Sequence, residues 1–238
     1  MHLFFARSAP GASVPPSDVP TLRAGALAGR LCALLVAAWL VLPTPGIAEE
    51  GGTPAPERAE AAIEHLHDVL LATMREAEEL GFQGRLERIR PAVTELYDFG
   101  FMAEKSVGLG WRQLDAPARE QLVDAFSQLA IATYAARFDG WNGERFETLG
   151  FQTATHGTLL VRSQILRGNG ETVALDYRLR PVAGEWRVID VFLNGTVSEL
   201  ALRRAEYSGV LRREGFDGLL RALEEKIAAQ GLGGDASS

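Results

Sequence analysis

The stretch TVALDYRLRPVAGEWRVIDVFL, residues Thr172–Leu193, carries the pattern that decides the fold. In its first half, apolar residues stand at every odd position from Val173 to Leu179, with polar or charged residues between most of them. This alternation is typical of a strand with one buried face. Ala183-Gly184 then predicts a two-residue hairpin turn. The following segment, Glu185–Leu193, is apolar in both phases, so we expect a second strand that is covered on both faces.

The turns on either side of Thr172–Val182 determine which side chains share a face. The pairs predicted by a two-residue turn at Ala183-Gly184 are Leu179 with Val188, Tyr177 with Asp190, and Leu175 with Phe192. The preceding strand, Thr158–Arg167, puts its apolar residues on the same face only if the turn at Gly168–Gly170 has three residues. A slip of one residue would turn every side chain to the opposite face, so the apolar pattern favours the three-residue turn.

Working outward, a strand at Phe146–Thr155 precedes these three, which gives four strands joined by short turns. The rest of the domain has the periodicity of amphipathic helices. The helices are expected at Glu57–Leu80, Arg85–Tyr97, Phe99–Val107, Ala116–Phe138, Val197–Arg213 and Phe216–Ala229, with Asp115 as the N-cap of the fourth. Helices before and after an antiparallel meander predict an α+β fold, with helices packed on one face of a four-stranded antiparallel sheet.

Residues 1–48 have the features of an export signal. Arg23 and Arg30 precede Leu31–Leu42, a run of twelve uncharged residues, and a stretch of mostly small residues ends at Ala48. Twelve apolar residues are fewer than the roughly 20 that cross a bilayer, which favours a cleaved signal peptide over a membrane anchor. We expect cleavage after Ala48 and a periplasmic location. The remaining divisions are a linker at 49–56, a single domain at 57–230 and a disordered tail at 231–238.

Composition excludes several functional classes. The 238 residues suffice for one medium domain, and the net charge of −7 argues against nucleic acid as a partner. Loss of residues 1–48, with three arginines and one aspartate, makes the mature chain more acidic still. The single cysteine, Cys32, excludes a disulfide framework and a multi-cysteine metal site. No metal or cofactor is predicted.

Signals for catalysis are few. The chain has no nucleotide-binding glycine pattern and no nucleophile-elbow motif. His65 and His67 are two residues apart and point to different sides of a helix, so we interpret them as part of a solvated face rather than a metal pair. Asp190 is the one acid predicted on an apolar face. It is either a general base of raised pKa, with Tyr177 as hydrogen-bond donor across the strands, or a hydrogen-bonded structural carboxylate.

Several blocks of the chain resemble one family in their order and spacing. These blocks include Tyr97-Asp98-Phe99, Met102-Ala103, Gly108–Leu114, Arg119-Glu120-Gln121, Ala125-Phe126, Thr133-Tyr134-Ala135, Trp186–Val191 and Gly215–Leu219. Over about residues 60–229 the chain is similar to the periplasmic phospholipid-binding proteins of the MlaC type, the toluene-tolerance family. Within that family it looks most like the hopanoid-biosynthesis-associated HpnM branch. Ser198 lies one position later than the serine of the family pattern.

The resemblance implies a carrier that holds acyl chains of a phospholipid or hopanoid-type lipid in an apolar cavity between sheet and helices. Its implied partners are an inner-membrane ABC transporter complex and an outer-membrane lipid complex, with transient membrane contact. The lining residues that we predict from the apolar helix and sheet faces are Phe126, Leu129, Ala130, Tyr134, Leu159, Val161, Ile165, Val173, Leu175, Tyr177, Leu179, Val188 and Phe192.

Two other functions remain open at this point. One is an isomerase or lyase of NTF2-like fold that acts on an apolar substrate with Asp190 as base and Tyr177 as donor. The other is a non-enzymatic assembly factor for hopanoid handling. The carrier differs from both in needing a deep apolar cavity with few specific polar groups.

Overall fold

The computed structural model describes residues 53–234, so the predicted signal peptide lies outside the described residues. The elements in chain order are α1 (Pro56–Arg75), α2 (Ala77–Leu96), α3 (Phe99–Val107), a 3-10 helix (Gly108–Gln113), α4 (Ala116–Arg137), β1 (Arg145–Thr153), β2 (Leu159–Leu166), β3 (Thr172–Val182), β4 (Glu185–Leu193), β5 (Val197–Ser198) and α5 (Glu199–Gly234). Between residues 53 and 234 no helix combines the length and the apolar character that a membrane span requires.

The fold is α+β, as predicted, but the sheet has five strands rather than four. All neighbouring strands are antiparallel and follow chain order from β1 to β5. The additional strand, β5, is two residues long and pairs with the end of β4. A two-residue strand has no measurable periodicity, and the sequence pattern assigned both of its residues to the following helix.

The three-residue turn between β2 and β3 is confirmed. The backbone N–H of Arg167 donates to the carbonyl of Glu171 at 2.8 Å, which closes the turn around Gly168–Gly170. Leu159 consequently pairs with Leu179, and Val161 pairs with Tyr177. The apolar side chains of β2 and β3 therefore share one face, as the argument from alternation required.

The register between β3 and β4 is predicted correctly only next to the hairpin turn. Leu179 pairs with Val188, but Tyr177 pairs with Val191 rather than Asp190. The register shifts at a β-bulge, where Ile189 is the extra residue on β4. Because β4 is apolar in both phases, its sequence gives no sign of the shift.

The bulge also corrects the remaining predicted pair. Leu175 lies opposite Leu193 rather than Phe192, and Phe192 lies opposite Asp176. The Phe192 side chain is thus on the face opposite to the one predicted for it. There the guanidinium of Arg178 lies 5.2 Å from the centre of the Phe192 ring.

The predicted breaks at two glycines are present in the backbone, but the first helix ends earlier than predicted, at a position without a glycine. The first helix ends at Arg75 instead of Leu80, and α2 contains Gly81, whose φ of 59° and ψ of −176° are not helical. The predicted break near residue 215 is present within α5, because Gly215 has a φ of 73° and a ψ of −173°. The predicted cap is confirmed: the Asp115 side chain accepts a hydrogen bond from the N–H of Ala118 at 2.9 Å.

A buried arginine connects two of the helices. Arg85 of α2 donates from Nε to the carbonyl of Ala135 at 2.9 Å and from Nη1 to the carbonyl of Ala77 at 3.0 Å. Ala135 lies near the C-terminal end of α4, where the partial negative charge of the helix favours a cation. This contact fixes the end of α4, from which the chain enters the loop before β1.

Candidate functional site

A cavity of about 600 Å³ lies between α4, the first turns of α5 and the sheet. Its inner wall is apolar. The apolar and aromatic residues that line it are Met74, Tyr97, Met102, Phe126, Ala130, Tyr134, Phe138, Ile165, Val173, Leu175, Val191 and Leu193. An apolar concavity of this size, with polar groups confined to a few places, is typical of a small-molecule binding site.

Polar residues of the lining come from segments that meet at one end of the sheet. These segments are the end of α4 with the loop that follows, the end of β2, the end of β4 and the start of α5. The charged residues among them are Arg137, Asp139, Glu144, Arg167, Glu199 and Arg203. We call this end of the cavity the mouth.

Two of the mouth arginines have acidic neighbours. Arg137 Nη1 lies 4.0 Å from Glu199 Oε1, and Arg167 Nη1 lies 3.2 Å from Glu171 Oε2. Both arginine side chains are more than half exposed, so solvent screens these pairs and each contributes little stability.

Tyrosines and a histidine form a polar cluster beside the apolar wall. The hydroxyls of Tyr97 and Tyr134 are hydrogen bonded to each other, and the Tyr177 hydroxyl is hydrogen bonded to His67 Nε2 at 3.2 Å. Burial raises the pKa of Tyr97 and of Tyr177 well above the usual value, and the neighbouring Tyr134 raises both further. These phenols therefore stay neutral and act as hydrogen-bonding groups.

His67 corrects the prediction of a solvated histidine face. It is only 3 % exposed, and its ring stacks on Phe146 with 4.2 Å between ring centres. Burial lowers the pKa of His67 to about 4, so the imidazole is neutral at pH 7. His65, two residues earlier, is exposed as predicted.

Six of the thirteen predicted lining residues lie in the cavity wall: Phe126, Ala130, Tyr134, Ile165, Val173 and Leu175. Another six are buried in the core outside the wall: Leu129, Leu159, Val161, Tyr177, Leu179 and Val188. At Tyr177 the sheet is covered by His67 of α1, which shows how helix packing takes this part of the face away from the cavity. Phe192 is turned away by the bulge. A role in ligand binding stays a prediction for all thirteen.

Sequence reasoning missed other wall residues. Val191 and Leu193 were assigned to the opposite face because the bulge was not visible in the pattern. Phe138 directly follows α4, and Arg203 lies in the second turn of α5. Phe138 stands one helical turn after Tyr134, which was its only available signal, and the sequence pattern gave none for Arg203.

Asp190 does not meet Tyr177. Asp190 pairs with Arg178 and shares its face of the sheet, whereas Tyr177 points to the opposite face. The predicted pair of Asp190 as base and Tyr177 as donor is therefore wrong. The carboxylate instead accepts hydrogen bonds from Ser198 Oγ at 2.6 Å, from its own neighbour Val191 N at 2.9 Å and from Leu200 N at 3.1 Å. The enzyme hypothesis loses the geometry on which it depended.

No group of three or more His, Cys, Asp or Glu side chains within the described residues is placed to hold a metal ion. The cavity offers an apolar wall, neutral phenols, and arginines and carboxylates at the mouth. This combination encloses an apolar or amphipathic molecule and offers hydrogen bonds to a polar group at one end.

Comparison with known proteins agrees with this class of binding protein. The family model described as MlaC protein matches residues 64–225, and the chain belongs to this family. A solved structure similar to it is the phospholipid-binding protein from Ralstonia solanacearum in complex with a phospholipid. That protein is 26% identical, the match covers 72% of this chain and 98% of that chain, and the TM-score is 0.64. No curated protein matches the chain.

Proposed function

We propose that this protein is a lipid carrier, which takes acyl chains into the cavity and shuttles them between membrane complexes of an ABC-type transport system. The observation that carries the proposal is the cavity of about 600 Å³ between α4, α5 and the sheet, with its apolar inner wall and charged mouth. Membership of the MlaC family supports it. So does the bound phospholipid in the similar protein from Ralstonia solanacearum.

The energetics explain why such a carrier needs an enclosed wall. Burial of a methylene group is worth about 0.8 kcal/mol, so exposure of a sixteen-carbon chain to water costs about 13 kcal/mol. Phe126, Leu175 and Val191 lie in the wall that would replace this water. A polar headgroup would stay at the mouth, where it keeps contact with solvent.

The cellular setting is part of the same proposal. The predicted signal peptide at 1–48 supports export to the periplasm, with an inner-membrane ABC transporter complex and an outer-membrane lipid complex as partners. The mature chain, which is more acidic than the −7 of the full sequence, is favoured to leave anionic membranes between contacts. We propose a phospholipid or a hopanoid-type lipid as cargo. N-terminal sequencing of the exported protein should begin at Glu49, and retention of Leu31–Leu42 would contradict export with release.

Native mass spectrometry of protein purified without added lipid tests the central proposal. We expect co-purified lipid on the wild-type protein. Leu175→Glu should lose it, because the new carboxylate would stand in the apolar wall without a partner. Leu149→Glu is the matched control, since Leu149 is 51% exposed on β1 and outside the cavity wall.

Two results would contradict the carrier proposal. An empty wild-type protein, purified under conditions that preserve bound lipid, would remove its basis. Full lipid occupancy of Leu175→Glu would show that the ligand lies elsewhere. Equal loss of lipid from Leu149→Glu would also count against the cavity, because that variant leaves the wall unchanged.

A further inference from the structure

Arg203 places a cation against the apolar part of the cavity. Its guanidinium lies 5.4 Å from the centre of the Phe126 ring, and its Nη1 donates to the Tyr207 hydroxyl at 2.9 Å. Phe126 and Tyr207 are themselves buried and packed edge to face, with 6.2 Å between ring centres. Arg203 is part of the cavity lining. The arginine is thus held in place by two aromatic side chains of the core.

Arg203 differs from the other arginines of the mouth in its partners. Arg137 and Arg167 each lie within 4.0 Å of a carboxylate. Within residues 53–234, no carboxylate oxygen lies that close to the Arg203 guanidinium. A guanidinium has five N–H donors, and the hydrogen bond to Tyr207 uses one of them.

Tyr97 and Tyr134 give the cavity neutral hydrogen-bonding groups, while Glu199, one turn before Arg203 on α5, is a carboxylate of the same lining that lies more than 4.0 Å from the Arg203 guanidinium. Burial is the main cause of the raised pKa of Tyr97, and the positive charge of Arg203 opposes that rise. The charge of Arg203 therefore acts on the Tyr97 hydroxyl. Tyr97 and Tyr134 contribute phenol hydroxyls to the same wall. A fixed cation beside phenol donors, with aromatic rings behind it, is suited to an oxyanion.

We propose that Arg203 binds the anionic phosphate or carboxylate group of the lipid, and so makes the cavity selective for acidic over neutral lipids. The inference rests on the proposed function, because it needs an acyl chain in the cavity. Charge-assisted hydrogen bonds from a planar guanidinium to such a group are short and directional. A neutral lipid of the same chain length leaves these donors without a charged partner.

Single-chain lipids are suitable probes. A sixteen-carbon chain needs about 480 Å³ if a methylene takes roughly the 30 Å³ of a water in the liquid. The cavity of about 600 Å³ holds one such chain. Palmitoyl lysophosphatidylglycerol is the acidic probe, and monopalmitoylglycerol is the neutral probe with the same chain. Inorganic phosphate alone tests whether a free anion, rather than a lipid headgroup, occupies the site.

The decisive variant is Arg203→Gln, measured by equilibrium binding of the three probes. We expect about tenfold weaker binding of the acidic lipid and unchanged binding of the neutral lipid. Arg212→Gln is the matched control, since it makes the same change of charge at an exposed position of the same helix, and it should leave both affinities unchanged. Arg203→Lys keeps the charge without the planar fork and should weaken only the acidic lipid, by a smaller factor.

Each other outcome overturns a defined part of the argument. Unchanged binding of the acidic lipid by Arg203→Gln, or an equal loss for both lipids, would exclude Arg203 as the selective group while leaving the carrier proposal standing. Tight binding of inorganic phosphate that Arg203→Gln abolishes would assign the site to a free anion. Failure of the wild-type protein to bind either lipid would overturn the carrier proposal itself. If Arg203→Gln does not fold, the lysine variant decides by the same comparison of the two lipids.

Discussion

Ser198 donates a hydrogen bond from its hydroxyl to Asp190 Oδ2 at 2.6 Å, and this contact joins β4 to the residue directly before α5. The other oxygen, Asp190 Oδ1, accepts from the backbone N–H of Leu200 at 3.1 Å. Ser198 Oγ also accepts from the N–H of Ala201 at 2.9 Å, so it caps the first turn of the helix. This small network sets where α5 begins, and α5 brings Arg203 to the cavity.

We expect Asp190→Asn to destabilise the protein by about 1–3 kcal/mol, the usual cost of a misfitted buried polar group. The amide offers one acceptor oxygen where the carboxylate uses two, and its NH₂ would face the Ser198 hydroxyl. Urea unfolding measures the loss, and native mass spectrometry should show lipid retained. A stability equal to that of wild type would contradict the structural role that we assign to Asp190.

Ser198→Ala provides a comparison for the same network. It removes the hydrogen bond to Asp190 and the cap on Ala201, while it leaves the two backbone donors to Asp190 in place. A cap of this type is worth about 1 kcal/mol. The double variant should lose less than the sum of the two single losses, because the residues share one contact. Full additivity would show that they act independently.

The network also shows why this part of the fold could be predicted only in part. The alternation in β2 and β3 is strict, so the face and the three-residue turn followed from the sequence. In β4 both phases are apolar, and a bulge that moves Asp190 to the other face leaves no trace in such a pattern. Ser198 lay one position late for the family pattern, which was the only local sign of irregularity.

The cavity was harder to predict than the sheet. Phe126, Ala130 and Leu175 follow from the apolar faces of α4 and β3, but a face does not reveal how far a neighbouring helix covers it. His67 illustrates the difficulty, because a histidine next to charged residues has the composition of a surface helix. Its burial depends on Phe146 and Tyr177, which are distant in sequence and come together only in the folded sheet.

Burial of His67 should make stability depend on pH. Its pKa falls from an ordinary value of 6.5 to about 4 on folding, so the unfolded chain binds the proton more readily between these values. The contribution is fully present above pH 6.5 and is lost as pH falls towards 4, up to about 3 kcal/mol. Urea unfolding of wild type and His67→Gln from pH 7.5 to 4.5 should show a shallower pH dependence for the variant.

His65→Gln is the matched control for this experiment, because His65 is exposed on the same helix. It should keep the pH dependence of the wild type. Equal slopes for wild type and His67→Gln would show that the folded protein protonates the imidazole as readily as the unfolded chain does, which would contradict the lowering of its pKa by burial.

Trp141 should take part in contact with membranes. It is 46% exposed in the loop after α4, and its neighbours Gly140 and Asn142 line the cavity mouth. Tryptophan is enriched at the interface between water and lipid. We expect Trp141→Ala to slow lipid transfer between vesicles severalfold without changing lipid affinity at equilibrium. Phe151→Ala, an exposed aromatic on β1 outside the cavity wall, is the control. Equal transfer rates for the two variants would contradict a specific role for Trp141.

The final prediction concerns the contact between two segments of the mouth. A Cβ on Gly168, in the turn between β2 and β3, would lie 1.7 Å from the carbonyl oxygen of Asn142. That atom belongs to backbone and cannot move alone, so Gly168→Ala must displace the loop or the turn, at a cost of about 1–3 kcal/mol. Gly140→Ala, in the same loop, meets nothing within 4 Å and should change stability by less than about 0.5 kcal/mol.

Because Asn142 and Arg167 both line the mouth, we expect Gly168→Ala to widen it and to release lipid faster, while Gly140→Ala releases lipid at the wild-type rate. Stopped-flow measurement of lipid release checks this, and identical rates for the two variants would show that the mouth is not the route by which lipid leaves.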